Sequence, residues 1–419
     1  MQVKRENIIP IDQCLHKDQH FEEFYTEHEG LQRQQLFLIP AFSDVPGYSL
    51  TRFSQDNGRT WSEIETLDSE PCIKIGEDEM FIFHYGRKVW NPVNNHYFLG
   101  MSHRLNHGNA AAANLSMWRG QSKFIHHSFV EISFPDGRKK LQMLRFEDGP
   151  AYTEDGYDYD YSSQNECSCW NTALMENGDI LLALCVPMEK VCAMLGEDIE
   201  EYDPTRRHDG LMIARGHWNA EKEEYDFTYS RPMQISTWFS SRGICEPQVV
   251  ELKSGRILIV FRGSNLIYPR WNTRIEPHMP GFKWYMFSDD GGKTFTQPMP
   301  WHFDNREVMY SSSTLCLFIR SKKNGNLYWV GNVSDHTAYE NFPRYPLHIC
   351  QVDDTWGVPI KDTLTVIDTR QEDESEKIQL SNFCLLDDRE TGNIEVFLTK
   401  VGKKDSNDHK GTWKYTIEL

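Results

Sequence analysis

One pattern of apolar and polar positions recurs along the chain: an apolar run, a short polar turn with Gly or Asn, then a second apolar run. It reads Trp170-Asn-Thr-Ala-Leu-Met-Glu-Asn-Gly-Asp-Ile-Leu-Leu-Ala-Leu around Gly178, and returns at Glu246–Val260 around Gly255. Two further copies surround Gly325 (Leu315–Arg320 before, Leu327–Val330 after) and Gly392 (Asn382–Leu386 before, Ile394–Leu398 after). Short apolar runs joined by such turns predict β-hairpins, and glycine supplies the positive φ that the turns need. Weaker copies stand at Val93–Met101 and Leu36–Trp61.

The four turn glycines are 77, 70 and 67 residues apart. A sheet of four short strands plus loops fits that period, so the repeat predicts the blades of an all-β propeller. Counting an extra pairing around residues 112–146 favours seven blades, with six as the alternative. Thr412-Trp-Lys-Tyr-Thr-Ile alternates like a strand and is expected to pair with an N-terminal segment to complete one blade. Without a Pro- or Ser-rich linker, residues 1–419 read as one domain, with Glu154–Tyr161 as a long loop over one face.

Composition narrows the possible partners. The formal net charge of -18, from 62 acidic against 44 basic residues, repels phosphate backbones and argues against nucleic acid. It leaves room for an acidic ligand wherever arginines gather in one pocket. With no run of 18 apolar residues, no membrane span is expected. The N-terminus lacks an apolar leader, which predicts a cytoplasmic protein, or a secreted one after removal of a leader. The 10 cysteines are scattered without zinc or redox spacing and read as free buried thiols.

Ser54-Gln-Asp56-Asn-Gly58-Arg-Thr60-Trp61 and Ser288-Asp-Asp290-Gly-Gly292-Lys-Thr294-Phe295 share the template Ser-x-Asp-x-Gly-x-Thr-aromatic. Such a sequence predicts a tight turn between the outer strands of a blade, its carboxylate and hydroxyls bonded to the turn backbone. The two aspartates are therefore structural rather than catalytic. These turns resemble the Asp boxes of the sialidase-like propellers. The resemblance extends loosely through Arg242-Gly-Ile-Cys-Glu246-Pro247, Phe261-Arg262-Gly263-Ser264 and Phe342-Pro-Arg344-Tyr-Pro. It implies a sialidase-like propeller over most of the chain. Sialidases carry the first of three substrate arginines in a Phe-Arg-Ile-Pro motif. The corresponding stretch here is Phe37-Leu38-Ile39-Pro40, and leucine cannot replace a bidentate guanidinium.

The densest chemistry lies at His84, Arg87, His96, His103, Arg104 and His107. Histidines that titrate near neutrality, with arginines that neutralise a carboxylate, suit β-elimination on a uronic acid. Among Asp-box propellers the chain is similar to the L-rhamnose-α-1,4-D-glucuronate lyases. That resemblance implies release of terminal rhamnose from glucuronate-containing plant glycans, with His103 as base and acid and His84 supporting it. It makes Arg242, Arg262 and Arg344 the candidates for the glucuronate carboxylate, with Arg104 and His107 as further substrate contacts. The expected partner is an acidic oligo- or polysaccharide, and the protein is expected to be a monomer. No cofactor is required. A structural calcium stays open, and a metal held by His103 and His107 would need that segment to be helical.

Two other readings stay open. A hydrolase of sialic or related acids would use a tyrosine backed by a glutamate, for which Tyr345 and Glu246 are available, or Glu166 as an acid. A non-catalytic glycan- or protein-binding propeller would carry the same turns. Asn165-Glu166 and Tyr310-Ser-Ser-Ser precede strands of the hairpin pattern and are expected to line a pocket.

Overall fold

The computed structural model describes residues 1–10, 20–42, 45–67, 72–75, 78–84, 87–106, 124–148, 164–265, 279–402 and 409–419. The loop expected at Glu154–Tyr161 and the candidate His107 lie outside them. The described residues fold into six antiparallel sheets, and the fold is an all-β, six-bladed propeller. Packing groups the chain into two compact units. Met1–Glu70, His278–Lys283 and Pro300–Leu419 make the first, and Pro71–Pro277 with Trp284–Met299 the second.

In chain order, β1 (Gln2–Ile9) belongs to the last blade, described below. Blade 1 is β2 (His20–Tyr25), β3 (Arg33–Phe42), β4 (Val45–Ser54) and β5 (Glu65–Thr66). Blade 2 holds β6 (Cys72–Ile75), β7 (Asp78–His84), β8 (Val89–Asn91), β9 (His96–Asn106), β10 (Phe124–Ser133) and β11 (Lys139–Met143). Blade 3 is β12 (Ser168–Leu174), β13 (Ile180–Pro187), β14 (Asp209–Asn219) and β15 (Glu224–Tyr229), with helices α1 (Met188–Leu195) and α2 (Ile199–Tyr202) inserted before β14. Blade 4 is β16 (Cys245–Glu251), β17 (Ile257–Arg262), β18 (Lys283–Ser288) and β19 (Met299–Pro300). Blade 5 is β20 (Leu317–Arg320), β21 (Leu327–Asn332), β22 (Leu347–Val352) and β23 (Thr365–Asp368). Blade 6 is β24 (Gln379–Asp387), β25 (Ile394–Val401) and β26 (His409–Glu418), completed by β1.

The favoured count of seven is thus corrected to six. Both β7 and β8 pair with the single long strand β9, which in turn pairs with β10. The stretches counted as separate blades on either side of residue 112 therefore belong to one sheet. The other expectations from the repeat hold. Gly178, Gly255, Gly325 and Gly392 all turn between the first and second strands of their blades with positive φ, from +66° to +87°. The second strands read ILLALCVP, ILIVFR, LYWVGN and IEVFLTKV, and they are almost wholly buried. Each such Leu, Ile or Val side chain contributes roughly 1.5–3 kcal/mol on leaving water. The closing strand also forms as expected: β1 runs antiparallel to β26, Gln2 opposite Glu418 and Asn7 opposite Trp413.

Both Ser-x-Asp-x-Gly-x-Thr turns join the third and fourth strands of a blade. In the first, Ser54 Oγ donates to Asp56 Oδ1 at 2.8 Å and accepts from Gly58 N, while Thr60 N and Thr60 Oγ1 donate to the carboxylate. The second repeats this with Ser288, Asp290, Gly292 and Thr294. These donors hold the Asp56 carboxyl down at about 2 and push that of Asp290 well below its usual range.

In the first unit, Arg33 is 0% exposed and is surrounded by carboxylates. It donates to Glu23 at 2.8 Å, Glu395 at 2.7 Å and Asp388 at 2.9 Å, and to the side-chain oxygen of Asn57 at 2.9 Å. This cluster joins blade 1 to blade 6. Lys283 is equally buried, its ammonium held by the carbonyls of Ser312 and Thr314 and the Thr314 hydroxyl.

Candidate functional site

In blade 4 the first two strands end in a cluster of charge. Cys245 stands opposite Arg262 in the β16–β17 register, and the register then shifts before Gln248 opposite Val260. The irregularity places Glu246 at φ +46°, a left-handed conformation that a non-glycine residue adopts only at a cost. From there its carboxylate accepts from Arg262 Nη1 at 2.5 Å, with the two side chains 17% and 11% exposed. Arg242, half-buried on the preceding turn, also acts on the Cys245 thiol, as do Glu246 and Arg262. Burial, reinforced by Glu246, pushes that thiol up to about 11, which leaves it neutral and unsuited to act as a nucleophile near neutral pH.

The backbone beneath these groups is tightly fixed. Ser241 N donates to the Ser264 carbonyl at 2.8 Å, and Ser240 Oγ donates to the Gly243 carbonyl at 2.7 Å. Ile244 N donates to Asp209 O at 3.0 Å, which ties the turn to β14. A Cβ on Gly263 would meet the Trp284 ring at 2.4 Å, and one on Gly243 would meet the Asp209 carbonyl at 2.5 Å. The close approach explains why glycine follows Arg262 directly. Aligned on the turn glycines, Arg262 corresponds to Cys185, Asn332 and Thr399 of blades 3, 5 and 6. Among these four copies, blade 4 alone places a cation there.

The other sequence candidates fall elsewhere. His103 does not follow the end of its strand as expected. It lies inside β9, 0% exposed, paired with Ile82 of β7 and His127 of β10, and its ring centroid is 4.3 Å from that of Phe129. His103 to Asn106 are strand, and His107, the other half of the metal site considered from sequence, lies outside the described residues. His84 ends β7 with its backbone opposite Met101. Arg104 lies opposite His126 in β10, its guanidinium 5.5 Å from the centroid of the Phe81 ring. Arg344 belongs to the first unit, where it donates to Asn341 O at 3.0 Å, Gln379 Oε1 at 2.7 Å and Ser381 Oγ at 3.2 Å. Tyr345, the hydrolase candidate, packs against an apolar core cluster of that unit.

The structure therefore brings Arg242 and Arg262 together and adds Glu246 to them. β9 and β10 carry four histidines, and strand pairing adds two that the sequence did not single out, His127 opposite His103 and His126 opposite Arg104. Asn165 at φ +56° accepts from Phe146 N and Glu147 N before β12, and its neighbour Glu166 is 8% exposed. Of the Tyr310–Ser313 segment, the three serines are buried, and Ser311 and Ser312 donate to Asn332 O and Pro343 O. Among the described residues no three His, Cys, Asp or Glu side chains gather as a metal site, and no helix is long and apolar enough to cross a membrane. None of the eight cysteines whose side chains are described is in a disulfide.

No protein-family model matches the chain, and no curated protein does. Solved structures do match. The intramolecular trans-sialidase from Ruminococcus gnavus superposes with a TM-score of 0.52 at 12% identity, over 96% of this chain and 95% of that one. The Hadza microbial sialidase Hz136 gives 0.47 at 14% identity over 96% of this chain, which spans 65% of that sialidase's length. An alpha-L-arabinanase from Penicillium chrysogenum gives 0.44 at 11% identity, over 99% and 97% of the two chains. At these identities the likeness is one of fold, that of a β-propeller.

Proposed function

We propose that this propeller is an enzyme acting on a glycan that contains an acidic sugar, and that the blade 4 cluster receives the sugar carboxylate. The observation that carries this reading is the Arg262–Glu246 pair beside Arg242. Two guanidinium groups gather at one strand end with the carboxylates of Glu246 and Asp209, in a protein that is strongly acidic as a whole. A substrate carboxylate accepts charge-assisted hydrogen bonds from such a group. The sialidase-like fold supports a sugar substrate.

The finer reading is a polysaccharide lyase that releases rhamnose from a glucuronate-containing plant glycan. Neutralising the carboxylate acidifies the C5 proton. A base removes it, the C4–O bond breaks, and the leaving oxygen takes a proton, leaving a double bond conjugated to the carboxylate. In this reading His103 of blade 2 is both base and acid, and His84 supports it. A second reading is hydrolysis of an acidic glycoside, with water added across the bond. The burial of His103 favours it, as does Glu246, a carboxylate held at a strand end. Leu38 in place of an arginine weighs against a sialidase of the usual kind.

Incubation with rhamnose-capped glucuronoglycans decides between them, following free sugar and ultraviolet absorbance together. Rhamnose released with new absorbance supports the lyase. Rhamnose without absorbance supports a hydrolase, as does cleavage of a fluorogenic sialoside. No sugar release from any acidic glycan overturns the enzymatic proposal.

A further inference from the structure

The turn that carries Arg242 also presents two large aromatic side chains to solvent. Trp238 and Phe239 are 52% and 51% exposed, although each has an apolar surface large enough to drive burial. Their backbone is held in place. Ser240 N and Phe239 N both donate to the Ser236 carbonyl, at 3.0 and 2.9 Å, and Gly243 N donates to Ser240 O at 2.8 Å. On the near side, Ser241 N bonds the Ser264 carbonyl just beyond Arg262. On the far side, Thr237 N and Thr237 Oγ1 both donate to Tyr202 O at 2.8 Å, anchoring the turn to the end of α2.

An exposed tryptophan on a mobile loop would have little meaning. Here the backbone that bears the two rings is tied by hydrogen bonds to the segment that carries Arg242 and to Ser264 beyond Arg262. Resting on the reading of that cluster as a carboxylate site, we propose that Trp238 and Phe239 form an adjoining subsite. It stacks on the apolar face of a neutral pyranose linked to the acidic sugar. The substrate is then an oligosaccharide of at least two units, recognised by charge at one and by an apolar ring face at the next. The placement fits this occupant. A flat ring offers a sugar its C–H face while the hydroxyls stay in water, and the adjacent guanidinium groups fix the acidic unit.

Binding measured by calorimetry with two probes tests the proposal: free glucuronic acid, and a rhamnosyl-glucuronate disaccharide. The disaccharide is expected to bind wild type more tightly than the monosaccharide. Trp238→Ala is expected to weaken disaccharide binding roughly tenfold, with Trp238→Phe retaining part of the affinity and glucuronic acid binding unchanged in both. Because the side chain is exposed, both variants are expected to melt with the wild type. Equal affinity of wild type for the two probes, or an unaltered disaccharide affinity in Trp238→Ala, overturns the aromatic subsite and leaves the carboxylate site standing. Failure of wild type to bind either probe overturns the carboxylate site and this subsite with it.

Discussion

Arg33 Nη1 donates to Glu395 at 2.7 Å across 362 positions of sequence, with both side chains out of reach of water. The same guanidinium serves Glu23 and Asp388, and burial pushes the Glu23 carboxyl up despite it. Removing Arg33 would leave three buried carboxylates without their shared cation. Arg33→Met is expected to cost about 3–5 kcal/mol, measured as a lower urea midpoint. An unfolding free energy within about 0.5 kcal/mol of wild type would mean that water or neighbouring cations replace it.

His348 gives the protein a defined acid sensitivity. It is 7% exposed in β22, and burial pulls its imidazole down to about 4. The unfolded chain therefore takes up a proton that the folded one refuses. The stabilising effect is complete above about pH 6.5 and is lost as pH falls toward 4. The contribution is of order 3 kcal/mol. Subtracting the stability of His348→Asn from that of wild type across this window should give a curve that rises with pH. A flat difference would show that the ring protonates inside the fold at no cost.

The carboxylates of the two Ser-x-Asp-x-Gly-x-Thr turns bond to backbone within their own loops. Asp290→Ala is expected to lower the melting temperature by a few degrees, while activity per folded molecule is unchanged. Asp56→Ala should behave alike. A loss of turnover without a change in melting would assign these aspartates to the chemistry.

Gly263 admits no side chain beside Trp284. Gly263→Ala is expected to destabilise by about 1–3 kcal/mol and to displace the end of β17. Because Arg262 lies there, affinity for an acidic sugar should fall with it. Gly255→Ala, strained at φ +81° but with open space around the Cβ, serves as a control that costs stability alone.

Some of these features could be read from sequence, and the difference lies in how local they are. The turn glycines, the two aspartate turns and the closing strand depend on residues a few positions apart, or on simple alternation. They emerged as expected. The blade count settled on the alternative of six because the pairing around residues 112–146, counted as a blade of its own, supplies β10 and β11 to the sheet of β9. The Arg33 cluster was not legible, because its partners are gathered from both ends of the chain and no local signal marks a buried arginine. At the candidate site, Arg242 and Arg262 were named from motifs, yet the left-handed Glu246 comes from a register shift that no composition reveals. The burial of His103 was not legible either, because strand pairing between β7, β9 and β10 sets it inside the sheet and its sequence neighbours give no sign of that.

The pairing of β1 with β26 has a consequence for biosynthesis. Between Ile9 and His409 lie some 400 residues, so the first edge strand leaves the ribosome on the order of tens of seconds before its partner. Until then β1 is an unpaired strand, open to other chains. Yield in cells should therefore respond to translation speed and to chaperones that shield nascent β-strands. A circular permutant that joins β26 to β1 through a short loop would make the two partners neighbours in time as well as in space.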